Sequence, residues 1–369
     1  MKISELTDAI AATYRVAPEK RRPIFAKGSP GSGKSDAGSS AAEKIAAEAG
    51  LPFRDLTREP WSSDATAAFG FMSLQATIED PITLSGLPAR DGDVARFLPF
   101  ADKLPTGGQG IIEISELPTA PPAVQAGLYE FFLRGKLGSY RLPDGGGLPG
   151  RGWYVYATGN RAQDRAQVQR MPTPLVSRIV HATIQLDLRV WMDWALKSGK
   201  VRPEIIAFLN FRSAHPADGI PDIFDTFDPS RADQPYSCPR TYHMASDVLD
   251  AGHAPGIEHE LLSGCIGEGP ATELIAFLRV YRDLVSPDAI LMSPATAAVP
   301  GDLSALYAVC GALARKVSDK SIDRLVIYLD RLPAEYAILT MTEAVRRDPT
   351  LQSTAGFLRF AHQYGEILT

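Results

Sequence analysis

An α/β fold is expected for this 369-residue chain: a mostly parallel sheet covered on both faces, followed by a helical second half. Three observations carry the expectation. Residues 28–35 read Gly28-Ser29-Pro30-Gly31-Ser32-Gly33-Lys34-Ser35, a complete G-x-x-x-x-G-K-[ST] phosphate-binding loop between a short apolar run and a helical stretch. Apolar runs then alternate with helical stretches up to about residue 187, as βαβ units do. From about residue 189 the pattern turns helical.

Residues 3–14 place Ile3, Leu6, Ile10 and Ala11 on one helical face. Pro23-Ile24-Phe25-Ala26-Lys27 is a short buried strand, and residues 35–48 are a helix that starts at the phosphate loop. In that loop glycines let backbone N–H groups close around the α- and β-phosphates. Lys34 supplies a cation to the β- and γ-phosphates, and the Ser35 hydroxyl takes one position on Mg²⁺. Residues 51–57 form a second strand. Residues 60–109, with Gly86-Leu87-Pro88 and Asp91-Gly92-Asp93, look like a hairpin insert and not a core element. Gly110-Ile111-Ile112-Glu113-Ile114-Ser115-Glu116 is a buried strand ending in an acid. Residues 122–135 are an amphipathic helix, and residues 136–147 a hairpin. Residues 153–158 and 178–184 complete the strands. Helices are expected at 189–198, 202–212, 241–251, 259–266, 271–285, 302–317, 319–331, 333–347 and 353–366, with a Pro- and Asp-rich loop over 216–236.

Hydrophobic residues make up 45% of the chain and charged residues 22%, ordinary for a globular protein with two or three domains. The net charge of −5 gives no broad nucleic-acid footprint. Cys238, Cys265 and Cys310 are far apart with no C-x-x-C pair, which excludes a zinc site of that kind and fits free thiols in a reducing compartment. The histidines lack metal-ligand spacing, so no metal beyond Mg²⁺ is expected. Residues 1–6 carry an early acid and no apolar run, unlike a signal peptide, and no run of about 18 apolar residues is present. The cytoplasm is the expected location.

A phosphate loop, an apolar strand ending in an acid, a strand ending in Asn and an Arg before the last strand occur in that order. The segments that sharpen the pattern are Gly110-Ile111-Ile112-Glu113-Ile114-Ser115-Glu116-Leu117-Pro118-Thr119-Ala120-Pro121-Pro122-Ala123-Val124-Gln125, Gly138-Ser139-Tyr140-Arg141-Leu142-Pro143-Asp144, Tyr156-Ala157-Thr158-Gly159-Asn160-Arg161 and Arg170-Met171-Pro172-Thr173-Pro174-Leu175-Val176-Ser177-Arg178. Over roughly residues 20–250 the chain resembles the MoxR branch of AAA+ ATPases. The match of 285–369 to the helical tail of some members is weaker. The resemblance implies a P-loop core at 1–187 with strand order 5-1-4-3-2 and inserts near 84–100 and 136–149. It implies an α-helical lid at 188–284 and a helical C-terminal extension at 285–369.

Residue roles follow from the resemblance. Glu116 corresponds to the acid that polarises the attacking water, Asn160 to the polar sensor beside the γ-phosphate, and Arg178 to the finger that reaches a neighbouring subunit's nucleotide, with Arg170 a second candidate. Arg240, which opens a helix behind Pro239, corresponds to a lid arginine on the γ-phosphate. Each has a plain alternative: a solvated strand-end glutamate, a turn-forming Gly-Asn, a locally paired arginine, an ordinary first-turn arginine. One position departs from the family. Its acid pair is Asp-Glu, where this chain has Ser115-Glu116. Serine at the metal-facing position brings no charge, so weaker Mg²⁺ binding, slower hydrolysis or an inactive enzyme is implied. Glu113 shares a strand face with Ser115 and is a possible substitute.

The resemblance implies an ATP- and Mg²⁺-dependent ring ATPase, a hexamer by family habit, that remodels a partner protein such as a von Willebrand factor A-type protein. The alternative is a nucleotide-regulated assembly scaffold with little or no hydrolysis. A DNA-directed motor fits the acidic balance less well.

Overall fold

The computed structural model describes residues 1–57, 67–100, 103–161, 164, 171–214, 223–231, 233–282 and 286–368. It divides into two compact units: Met1–Asp187 with Phe227–Ala232, and Leu188–Thr226 with Asp233–Thr369.

The first unit is built on a six-stranded sheet in which every neighbouring pair is parallel. In chain order its elements are α1 (Ile3–Arg15), β1 (Ile24–Lys27), α2 (Lys34–Ala49), β2 (Phe53–Asp55), β3 (Phe69–Gln75), α3 (Pro81–Ser85), β4 (Leu87–Asp91), β5 (Val94–Leu98), β6 (Gln109–Ser115), α4 (Pro122–Arg134), β7 (Lys136–Leu137), β8 (Tyr140–Arg141), β9 (Trp153–Gly159), α5 (Thr173–Val176) and β10 (Val180–Thr183). The sheet order is β10-β1-β9-β6-β3-β2. Five strands were expected. The sixth, β3, lies inside the stretch read as an insert and separates β2 from β6. The same stretch also holds an antiparallel β4–β5 hairpin preceded by α3. The second hairpin reduces to β7 and β8, paired over Lys136–Leu137 and Tyr140–Arg141.

Period-2 alternation sorts the sheet's side chains into two cores. Ile24, Ala26, Phe69, Phe71, Ile111, Tyr154 and Tyr156 face α1 and α2, where Leu6, Ile10, Tyr14, Ala41 and Ile45 are buried. Phe25, Met72, Leu74, Ile112, Ile114, Val155 and Ala157 face α4, which supplies Val124, Leu128, Phe131 and Phe132. Arg21 ties the start of the sheet together. Its guanidinium lies 4.6 Å from the Tyr14 ring and donates to the Arg151 carbonyl at 2.7 Å.

The second unit is helical: α6 (Leu188–Ser198), α7 (Pro203–Ala214), α8 (Pro239–Asp250), α9 (Pro255–Ile266), α10 (Glu268–Arg282), α11 (Pro287–Met292), α12 (Leu303–Lys316), α13 (Ile322–Leu329), α14 (Ala334–Arg347) and α15 (Ala355–Leu368). Prolines at N1 start α7, α8, α9 and α11, which puts the start of α9 four residues ahead of the expected one. Helix α11 was not expected. The expected boundary at 284/285 and much of the loop at 216–236 (216–222 and 232) lie outside the described residues. Helices from both sides of that boundary share one core: α12 packs on α7, α10 and α14, and Asn210 of α7 donates to Glu343 of α14.

Candidate functional site

Four of the expected residues meet at the carboxyl ends of β1, β6 and β9, three adjacent strands. The loop after β1 turns through Gly31 and Gly33, both at positive φ, and delivers Lys34 and Ser35 as the first residues of α2. Only glycine takes such φ values without strain. The loop is anchored to β9 by the Gly28 N–H, which donates to the Gly159 carbonyl at 3.3 Å. Gly159 must itself be small, since a Cβ there would lie 2.3 Å from Pro118.

Lys34 is buried. Its Nζ donates to the carbonyls of Gly28 (3.1 Å) and Ser29 (2.9 Å), to Ser32 Oγ (3.3 Å) and to Asn160 Oδ1 (3.5 Å). Asn160 turns its other amide atom to Glu116, Nδ2 donating to Oε2 at 3.3 Å, and Thr119 Oγ1 reaches the same oxygen at 3.4 Å. One amide therefore joins the loop lysine to the strand-end acid. Glu116 sits at φ 55, the only non-glycine at positive φ among the described residues. That left-handed residue ends β6 abruptly and starts a short 3-10 turn. Past Asn160, Arg161 and the buried Asp164 form a paired staple at 2.9 Å.

Below this layer, on the α2 face of the sheet, lies Glu113. Its Oε1 accepts from Ser35 Oγ at 2.7 Å and Thr158 Oγ1 at 2.6 Å, and its Oε2 from Ser73 Oγ at 2.9 Å. Burial pushes its proton affinity above the usual carboxylate range, and the three hydroxyl donors oppose that shift. Tyr156 OH packs beside Ser35, donating to its carbonyl at 3.4 Å. Gly38 makes room for that ring, because a Cβ there would lie 2.1 Å from the phenol oxygen.

The carboxylate on Ser35 is thus that of Glu113, whereas sequence placed the metal position at Ser115. Ser115 is the last residue of β6, half-buried and paired in register with Gln75. The Ser35–Glu113 contact and the bonds from Thr158 and Ser73 are made by hydroxyl and carboxylate oxygens, the donor type a hard divalent cation such as Mg²⁺ takes. No group of three or more His, Cys, Asp or Glu able to hold a metal occurs among the described residues.

Arg178 stacks 4.3 Å over the Tyr129 ring and donates to the Pro174 carbonyl at 2.7 Å. Arg240 is exposed in the first turn of α8, in the second unit, behind the Cys238 and Thr241 cap. Arg170 lies outside the described residues. Sequence reading missed Ser73, Thr158 and Tyr156. The signal that leads to them is an acid inside Ile111-Ile112-Glu113-Ile114, since a charge buried in an apolar strand needs polar partners.

No family model and no curated protein matches the chain. Among solved structures it is similar to NtrX from Brucella abortus in complex with ADP, at 13% identity and TM-score 0.36, over 98% of this chain and 68% of that one. A second structure of the same NtrX aligns at 12% identity and TM-score 0.31, over 93% of this chain and 59% of that one. A RuvB variant from Thermotoga maritima aligns at 13% identity and TM-score 0.27, over 98% of this chain and 86% of that one.

Proposed function

We propose that the chain binds ATP with Mg²⁺ and hydrolyses it as an AAA+ ATPase of MoxR type. One observation carries the reading: Asn160 spans from Lys34 to Glu116, so the phosphate-binding cation, a polar sensor and an acid converge at adjacent strand ends. Ligands bind outside the carboxyl ends of strands in open α/β sheets. In the proposed chemistry the loop N–H groups and Lys34 hold the phosphates. Glu116 accepts a proton from the attacking water, and Asn160 orients that water. Ser35 would ligate Mg²⁺, which when bound neutralises phosphate charge, and Ser115 ends β6 on the strand face it shares with Glu113.

The further assignments extend this proposal. Residues 188–284 serve as the lid, with Arg240 contributing to a nucleotide site, and 285–369 as an extension. Arg178 acts across a subunit interface in a ring, a hexamer by family resemblance, that remodels a client or a von Willebrand factor A-type partner. No helix among the described residues is long and apolar enough to cross a membrane, and the reading places the protein in the cytoplasm without a nucleic-acid partner. The second reading, a scaffold that binds nucleotide with little turnover, draws on the uncharged Ser115.

Steady-state ATP turnover and fluorescent-nucleotide titration test both. Lys34→Ala should lose nucleotide binding with its melting temperature retained. Glu116→Gln should bind ATP and lose about 10²–10⁴-fold in turnover. A wild-type protein that binds ATP and does not turn it over at any Mg²⁺ concentration selects the scaffold.

A further inference from the structure

Glu113 is a fully buried acid flanked by isoleucines in the middle of a central strand. Packing does not require a charge there, since Ile111, Ile112 and Ile114 fill neighbouring positions of the same strand. Among the described residues no lysine, arginine or histidine forms an ion pair with it, and hydrophobic neighbours alone leave a buried carboxylate costly. Its partners are instead three hydroxyls from three elements: Ser35 of α2, Ser73 of β3 and Thr158 of β9. Ser73 is its register partner on β3, so the contact is built into the strand pairing.

The direction of these bonds matters. A carboxylate only accepts, so Ser35 spends its one proton on Glu113 and its oxygen lone pairs remain for another group. An oxygen held in that state is a ligand for a hard cation, and the adjacent carboxylate supplies the balancing negative charge. Ser115 follows Glu113 on the same strand face, one pleat nearer the strand end. Glutamate carries one methylene more than aspartate, which moves a carboxylate forward from a position set further back.

We infer that Glu113 is the positioning acid of the divalent-cation site, orienting Ser35 and supplying the charge that the residue at 115 lacks. The inference rests on the nucleotide-binding reading above. It assigns the departure at Ser115 to a relocated acid and not to a lost one.

The test measures affinity for a fluorescent ADP analogue against MgCl₂ concentration and in EDTA, with melting temperature read in parallel. Glu113→Gln keeps the side chain's size and removes the charge. It should leave the EDTA affinity within threefold of wild type and raise the Mg²⁺ concentration for half-maximal tightening by about 10–100-fold, the usual effect of losing a group that orients a metal ligand. In a Ser35→Ala background the same substitution should add less than about threefold, because the two residues act as one unit. An unshifted Mg²⁺ dependence in Glu113→Gln overturns the inference, as does full additivity with Ser35→Ala. If Glu113→Gln does not fold, Glu113→Asp, which keeps the charge and withdraws it by one methylene, decides: a raised Mg²⁺ requirement with unchanged EDTA affinity upholds the role, and an unchanged dependence overturns it. A wild-type protein that binds no nucleotide with or without Mg²⁺ overturns the nucleotide reading itself. Binding in EDTA that Lys34→Ala abolishes keeps that reading intact whatever Glu113 does.

Discussion

Glu116 holds a backbone conformation that its side chain does not favour. At φ 55 an L-residue carries about 1–2 kcal/mol of strain, least for Asn and most for a β-branched residue. Strain of this kind gathers where the chain must aim a functional group. Glu116→Asn should therefore melt at or above the wild-type temperature, and Glu116→Val should lose about 1–2 kcal/mol relative to Glu116→Asn. Both should lose turnover. Equal melting of the two variants would show that the position is not strained. Lys34, Ser35, Glu116 and Asn160 were all legible in the sequence, because each belongs to a short local motif or ends an apolar run. The hydroxyls on Glu113 were not. Ser73 and Thr158 reach it across strands whose pairing joins positions about 40 residues apart on either side, and no local spacing encodes that.

Strand β3 is where element-level reading failed. Phe69-Gly70-Phe71-Met72-Ser73-Leu74-Gln75 is buried on both faces, so it lacks the apolar–polar alternation that marks a half-exposed strand. Gly70 within it and the turn residues after it further hid it. The structure gives that glycine and its neighbour on β6 a reason. Gly110 pairs with Gly70, and a Cβ on Gly110 would lie 2.1 Å from the Gly70 carbonyl and 2.6 Å from the Trp153 ring. Both obstacles sit in the packed sheet, so Gly110→Ala should cost about 1–3 kcal/mol, as overpacking does. Urea denaturation would show it. A loss below about 0.5 kcal/mol would mean the β3–β6 pair can spread. By contrast, α2, expected over 35–48, runs Lys34–Ala49: the phosphate loop starts it and Gly50, at φ 64, stops it.

Across the whole molecule two properties become measurable. Burial raises the Glu343 carboxyl to about 7, against the opposing pull of Arg346 and the Asn210 hydrogen bond. The folded chain then keeps a proton that the unfolded chain has released, so stability falls as pH rises from the ordinary carboxylate range through about 7. Melting of the wild type between pH 5 and 8 should show that decline, and Glu343→Gln should flatten it. The ring proposal predicts specific activity that rises with protein concentration. It also predicts that Arg178→Ala binds nucleotide with turnover lower by about 10³–10⁵-fold. Full activity in that variant would leave the Tyr129 and Pro174 contacts as the whole role of Arg178. The order of the strands has a last consequence, for synthesis. Strand β1 lies between β9 and β10, and its Ile24 pairs with Val180. The phosphate loop follows that strand directly, so it gains its flanking scaffold only after the chain has been translated through Thr183. At about 5–20 residues per second the loop waits many seconds on the ribosome. Such long-range parallel pairing is also slow to form. Nascent chains stalled before β9 should be cut by protease within α2, and chains released after β10 should resist.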